Sequence, residues 1–169
     1  VPGTWQVCAP GTVRGFSAVA YFFGRELSRE LGVPVGLIST SWGGTRIEPW
    51  TPPVGFASVP AFSKELTQIR EASLDYRENL PETLKQMSAW TKATKKAIQR
   101  NQPISQPPRL YRHQLASHRR PTGLYNAMVH PLVPFAIKGA IWYQGEANVG
   151  EGMLYRDRME ALIRGWRAV

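Results

Sequence analysis

Apolar residues at Phe16, Val19, Ala20, Phe23, Leu27 and Leu31 recur at the i, i+3, i+4, i+7 spacing of an amphipathic helix. Ser17 is placed to cap its start, and Gly32 with Pro34 marks its end. The pattern then changes. Val33–Thr40, VPVGLIST, is a short apolar, β-branched run that reads as a buried strand of a parallel sheet. The following SWGGTRIEPWTPP, punctuated by glycines and prolines, reads as loop. From Ala61 to Asn101 the spacing is helical again, with Pro81 predicting two helices that meet there. Gln102–Pro121 is a Pro-, Arg- and His-rich loop, and Leu124–Val133 reads as a short helix disturbed at Pro131. Phe135–Tyr143 has the character of a second strand. Met153–Trp166 sets Tyr155, Met159, Leu162, Ile163 and Trp166 along one helical stripe. Strand-then-helix alternation predicts an α/β fold with a parallel sheet.

Composition adds bounds. With 169 residues the chain is long enough for one domain with a real core. No apolar run approaches the roughly 20 residues of a membrane span, and no basic n-region followed by an apolar h-region opens the sequence. The single cysteine, Cys8, excludes an internal disulfide. It reads as a small packed residue, because no basic neighbour would activate it. The net charge of +9 raises the question of a nucleic-acid partner. Between Ala61 and Thr122 stand twelve Lys/Arg and five Asp/Glu, so +7 of the +9 belongs to one segment. No zinc-ligand spacing, aromatic RNA-binding strand or basic region leading into heptads accompanies it, and a solvated helical face is the simpler reading. No metal-ligand constellation and no cofactor motif is visible.

Two places share a form that can carry chemistry. VGLISTSWGGT and AIKGAIWYQGEAN both run from an apolar stretch into a polar, glycine-containing loop. Strands of one parallel sheet would deliver both loops to the same rim. Gly43 and Gly44 leave backbone N–H groups open to close approach, and the amides of Gln144 and Asn148 can supply further donors. Such donors stabilise the negative charge that develops on a carbonyl oxygen during acyl transfer. Either loop is equally compatible with an ordinary turn.

The blocks SAVAYFFGREL, VPVGLISTSWGGTRIEPW, LYNAMVHPLVPFAIKGAIWYQGEAN and YRDRMEALIRGWR closely resemble, in that order, the sialate O-acetylesterase family of the SGNH/GDSL hydrolases. The resemblance implies a flavodoxin-like α/β/α sandwich, partial in this chain. It also implies a serine esterase that removes O-acetyl groups from sialic acid or related carbohydrates through an acyl-serine intermediate. On that reading residues 1–169 are one incomplete domain, and 56–121 is a helical and loop insertion in it. The resemblance assigns Gly43, Gly44, Gln144, Gly145 and Glu146 to the catalytic, oxyanion-side loops. Arg46, Trp42, Asn126 and Asn148 fall where an acetylated carbohydrate substrate would be bound. It implies no cofactor, and a periplasmic or secreted location.

The sequence also departs from the family. Neither the Gly-Gln-Ser-Asn-type block that holds the nucleophile nor the Asp-x-x-His-type block is present, and none of His113, His118 and His130 has an Asp three residues before it. The expectation is therefore an internal piece of an esterase domain, inactive by itself, that needs missing segments as partners. An acetylxylan-type esterase and a non-catalytic carbohydrate-binding remnant are the alternatives. For Arg46, an ion pair with Glu48 competes with a role toward a substrate carboxylate. For Trp42, Trp50 and Trp142, core packing competes with a sugar-stacking wall.

Overall fold

A computed structural model describes residues 3–169. Four α-helices carry the architecture: α1 (Ala18–Leu31), α2 (Pro53–Ala57), α3 (Ser63–Gln99) and α4 (Leu154–Arg167). Single-turn helices at Glu48–Trp50, Pro60–Phe62, His130–Leu132 and Glu146–Asn148 and a π-turn at Tyr125–Val129 join them.

The expected parallel sheet, and with it the flavodoxin-like sandwich, is not formed: no described residue lies in a strand. Residues 33–40 and 135–143 run as irregular backbone with no ladder between them or to any other described segment. Ile38, Phe135, Ile137 and Ile141 stay exposed. An apolar β-branched run reports a tendency to be buried, but a strand exists only when another edge accepts its N–H and C=O groups. Trp5 does lie against both runs, its ring 6.5 Å from Phe135 and in contact range of Gly36.

α1 begins and ends where the sequence predicts. The Ser17 side chain accepts from the Ala20 N–H at 3.3 Å, and Gly32 closes the helix in the left-handed conformation, its N–H bonded to the Ser28 carbonyl. Its apolar stripe is less buried than predicted. Leu37 fills the notch at Gly24, while Val19, Phe23 and Leu31 remain exposed.

Pro81 does not divide its helix as its position predicts. Instead of two helices, α3 is one helix of 37 residues with Pro81 inside it. Proline removes an intrahelical donor and crowds the preceding turn, yet the helix continues on both sides of it. Ile69 and Ala72 bury the first part of α3 against Phe56, Val59, Phe62, Leu115 and Ala161. The rest is a rod accompanied by the returning segment 102–114. Trp90 donates its indole N–H to the Ser105 carbonyl at 2.9 Å, and Tyr111 stacks on Tyr76.

α4 is the hub. It crosses α2 so closely that a Cβ on Gly55 would sit 2.3 Å from the Ala161 carbonyl oxygen, and one on Gly165 would sit 2.6 Å from Pro52. Its other side packs on Ile47, Trp50 and Leu124, beside the edge-to-face rings of Trp50, Trp142 and Trp166. The predicted stripe on α4 is largely present, except that Ile163 is exposed and Arg158 is buried.

Candidate functional site

The two polar loops singled out by the sequence meet on the hub side of α4, with Asn148 between them. The one-turn helix Glu146–Asn148 brings Asn148 inward until it is 3% exposed. Its Oδ1 accepts from the Ile47 backbone N–H at 3.0 Å and from Gln144 Nε2 at 2.8 Å. Its Nδ2 donates to Glu48 at 3.1 Å and to Glu151 at 3.0 Å. One amide therefore ties two loops that are a hundred residues apart in sequence, and all four of its bonds are internal.

Gln144 makes the second tie. Its Nε2 also donates to the Thr45 carbonyl at 3.0 Å, just past the Gly43–Gly44 turn. The Tyr155 hydroxyl, from α4, lies 2.9 Å from the Gln144 carbonyl and 3.0 Å from its Oε1. Thr45 in turn donates to the Trp42 carbonyl and accepts from the Trp50 indole. The amide of Gln144 is thus committed to holding Thr45. By contrast, the backbone N–H groups of Gly43 and Gly44 have no partner among the described residues. Gly44 turns the chain at φ +71°, a backbone conformation that other residues enter at a cost.

Charges surround this amide centre. Arg158 is 8% exposed and its guanidinium lies 5.0 Å over the Phe62 ring. It pairs with Glu151 at 2.8 Å, Glu48 at 3.5 Å and Glu65 at 3.6 Å. Arg46 pairs with Glu48 at 3.0 Å and with Glu151, and donates to the Ala147 carbonyl. The ion-pair reading of Arg46 is the one the structure adopts. Burial raises the Glu48 carboxyl, but its own backbone N–H, the Asn148 amide, Arg158 and Arg46 together outweigh burial and hold it below its ordinary value.

That shift predicts a pH dependence. A carboxyl lowered in the folded state contributes stability that is complete above its unfolded pKa of about 4.3 and is lost as pH falls through the folded value. Urea midpoints measured from pH 7 down to pH 3 should fall across the acid end. A Glu48→Gln variant should be less stable at pH 7 and show a shallower fall. Equal slopes in the two proteins would refute the assignment.

The remaining predicted residues are more scattered. Glu146 and Asn126 are exposed, and no hydrogen bond from either side chain joins the network. Gly145 stands beside Tyr155, 3.9 Å from where a Cβ would reach its hydroxyl. Trp42 is half exposed and stacks on His118, ring centres 5.0 Å apart. Trp50 is core and Trp142 is half-buried beside it.

Glu151, Arg158 and Thr45 were not singled out by the sequence, and Tyr155 only as a residue of the helical stripe. For α4 a signal existed: Tyr155, Arg158 and Leu162 follow i, i+3, i+7, so an arginine on the buried stripe implied buried carboxylate partners.

One serine–histidine contact occurs elsewhere. Ser73 Oγ lies 3.4 Å from His113 Nε2, while His113 Nδ1 accepts from the Leu115 N–H at 3.1 Å. A neutral imidazole that accepts at Nδ1 carries its proton on Nε2. His113 therefore donates to Ser73, and Ser73 donates to the Ile69 carbonyl at 2.8 Å. This pair braces the returning segment on α3; it is not set to deprotonate the serine. Among the described residues no cluster of three or more His, Cys, Asp or Glu side chains could hold a metal ion. No described helix is long and apolar enough to cross a membrane.

An α4 hub that locks two polar loops through a buried amide defines a loop platform of fixed shape, with two backbone donors left at its edge. The chain is 32% identical over 158 residues to a sialate O-acetylesterase of Rattus norvegicus, 34% to one of Mus musculus and 31% to one of Homo sapiens. Each match covers 93% of this chain but only 26%, 26% and 22% of the relative. The chain is related to the sialate O-acetylesterases along nearly its whole length, as the sequence blocks indicated, and spans about a quarter of the length of these curated relatives. No family model and no solved structure matches it.

Proposed function

We propose that this chain supplies the oxyanion-side wall of a carboxylic ester hydrolase that removes O-acetyl groups from sialic acid. The observation that carries this reading is the similarity to proteins named sialate O-acetylesterase over 93% of the chain. The loop geometry supports it. In the reaction a serine oxygen adds to the acetyl carbonyl carbon, the carbonyl oxygen becomes an oxyanion, and its collapse expels the sugar hydroxyl and leaves acetyl-serine. Water then adds to that ester and releases acetate and the free serine. The N–H groups of Gly43 and Gly44 are the proposed oxyanion donors. Gln144 is a positioning residue that fixes them by holding the Thr45 carbonyl at 3.0 Å. Gly145 and Glu146 form the facing edge, where Glu146 is available to a substrate hydroxyl. Trp42 and Asn126, both exposed, offer a sugar contact. Nucleophile, base and acid are assigned to no residue of this chain.

Binding tests the reading without requiring turnover. In amide NMR spectra, the Gly43 and Gly44 resonances should move when a phosphonate analogue of an O-acetylated sialic acid is added. A Gln144→Ala variant should respond at least several-fold more weakly, because the donors lose their fixed geometry. Unmoved resonances in the unaltered chain would refute the assignment. A stronger response to the corresponding xylose derivative would favour an acetylxylan-type substrate.

A further inference from the structure

From Thr83 to Gly145 the chain contains no aspartate or glutamate, yet it contains ten Lys/Arg. Nine of them, Lys85 through Arg120, lie on the distal half of α3 and on the segment returning from it, and all nine are exposed. The acidic residues of α3 stop at Glu82. Among the described residues only Lys85 of the nine makes an ion pair, with Glu82 at 3.9 Å. Lys85, Lys92, Lys96 and Arg100 recur at helical spacing and so share one stripe. A solvated helix needs no such one-signed charge, and a dense one-signed field opposes folding by self-repulsion.

The track also has a direction. The returning segment is pinned to α3 at Trp90–Ser105 and, through Tyr111 and Gln114, at Asp75. It then delivers His118, Arg119 and Arg120 to the platform. His118 stacks on Trp42 beside the Gly43–Gly44 turn, and the Thr122 N–H donates to the Glu48 carbonyl at 3.1 Å. Cations thus cover the tip of a 37-residue rod, and the returning segment carries Arg109 and Arg112 past the acidic half of α3 to Arg119 and Arg120 at the edge of the proposed oxyanion site.

We propose that this basic track is a docking surface for a sialic-acid polymer or a densely sialylated glycan, whose carboxylates follow the lysines and arginines toward the Trp42–His118 edge. The proposal rests on the esterase reading for its choice of polyanion, since that reading makes a carboxylate-bearing sugar the substrate. Single-stranded nucleic acid fits the track less well, because successive bases need aromatic platforms. Trp90 is half-buried, and one face of the Tyr111 ring is covered by Tyr76. The surface raises the local concentration of an anionic chain and guides it, so its effect is strongly salt-dependent.

The test uses the full chain and a fluorescent α-linked oligosialic acid, with binding followed by anisotropy. Affinity should fall about ten-fold or more between roughly 50 and 300 mM salt. It should fall comparably in a Lys92→Glu/Lys95→Glu/Lys96→Glu variant whose far-UV circular dichroism is unchanged. An Arg119→Glu/Arg120→Glu variant probes the other end of the track and should also weaken binding. A neutral oligosaccharide of equal length should not bind. Salt-insensitive binding, undiminished binding by both variants, or no binding would overturn the proposal. So would tighter binding to a single-stranded oligonucleotide or to phosphatidylserine vesicles. The Gly43 and Gly44 amide response to the monosaccharide analogue is read separately, so failure of the track and failure of the esterase reading are distinguishable.

Discussion

Asn148→Ala is expected to cost about 2–4 kcal/mol of folding stability, among the largest effects of any single side-chain truncation in the platform. The substitution leaves the buried Ile47 N–H without an acceptor and frees the Gln144 side chain from one of its three partners. It also removes the donor that Glu48 and Glu151 share. An unmade buried hydrogen bond costs the desolvation of the stranded group, which exceeds the modest net gain of an intact one. Urea unfolding measures the loss, and a change below about 0.5 kcal/mol would contradict the central position given to this amide. Asn148→Asp separates charge from shape. It keeps an acceptor for Ile47 but sets a third carboxylate against Glu48 and Glu151. The folded state then disfavours its ionisation, so its pKa is raised. The resulting destabilisation should be full at neutral pH and shrink as pH falls through the acid range.

The second large effect belongs to the helix crossing. Gly55→Ala places a methyl group 2.3 Å from the Ala161 backbone carbonyl, a contact that no side-chain rotation relieves. α2 must shift away from α4, opening the layer that holds Phe56 and Ala161 in the core. A loss of about 2–3 kcal/mol is expected, at the upper end for overpacking. Thermal unfolding reads it directly. Gly139→Ala is the control: no heavy atom lies within 4 Å of the added Cβ, so its melting temperature should stay close to that of the parent. Equal melting temperatures for the Gly55 and Gly139 variants would refute the close crossing.

Both effects concern contacts between segments distant in sequence, and this separates what was readable from what was not. Local signals were legible. The Ser17 cap, the Gly32 stop and the extent of α1 follow from bonds made within a few residues. The final helix and the glycine turn at 43–44 are local in the same sense. Pro81 shows the limit of local reading: a breaker costs a donor and strains the preceding turn, and a long helix extending on both sides absorbs it.

The two apolar runs failed for a different reason. Their composition matches buried strands, but pairing is decided by whether another segment presents its edge, and none does among the described residues. The candidate site was half legible. Gln144, Asn148 and Arg46 stood out because polar groups after an apolar run need partners. Their partners Thr45 and Glu151 carry no local mark, and the helical spacing of Tyr155 and Arg158 shows that they face inward but not what they meet.

By itself, then, the sequence determined α1, α4, the glycine turn, the carboxylate-free basic stretch and the similarity to sialate O-acetylesterases. These depend on near-neighbour bonding or on residue identity alone. Tertiary structure decided that Gln144 holds Thr45 and that Asn148 joins loops a hundred residues apart. It also decided that Arg158 sits between three carboxylates. Those outcomes depend on which distant groups burial brings together, and a buried polar atom takes whichever partner the packing of α4 leaves within reach.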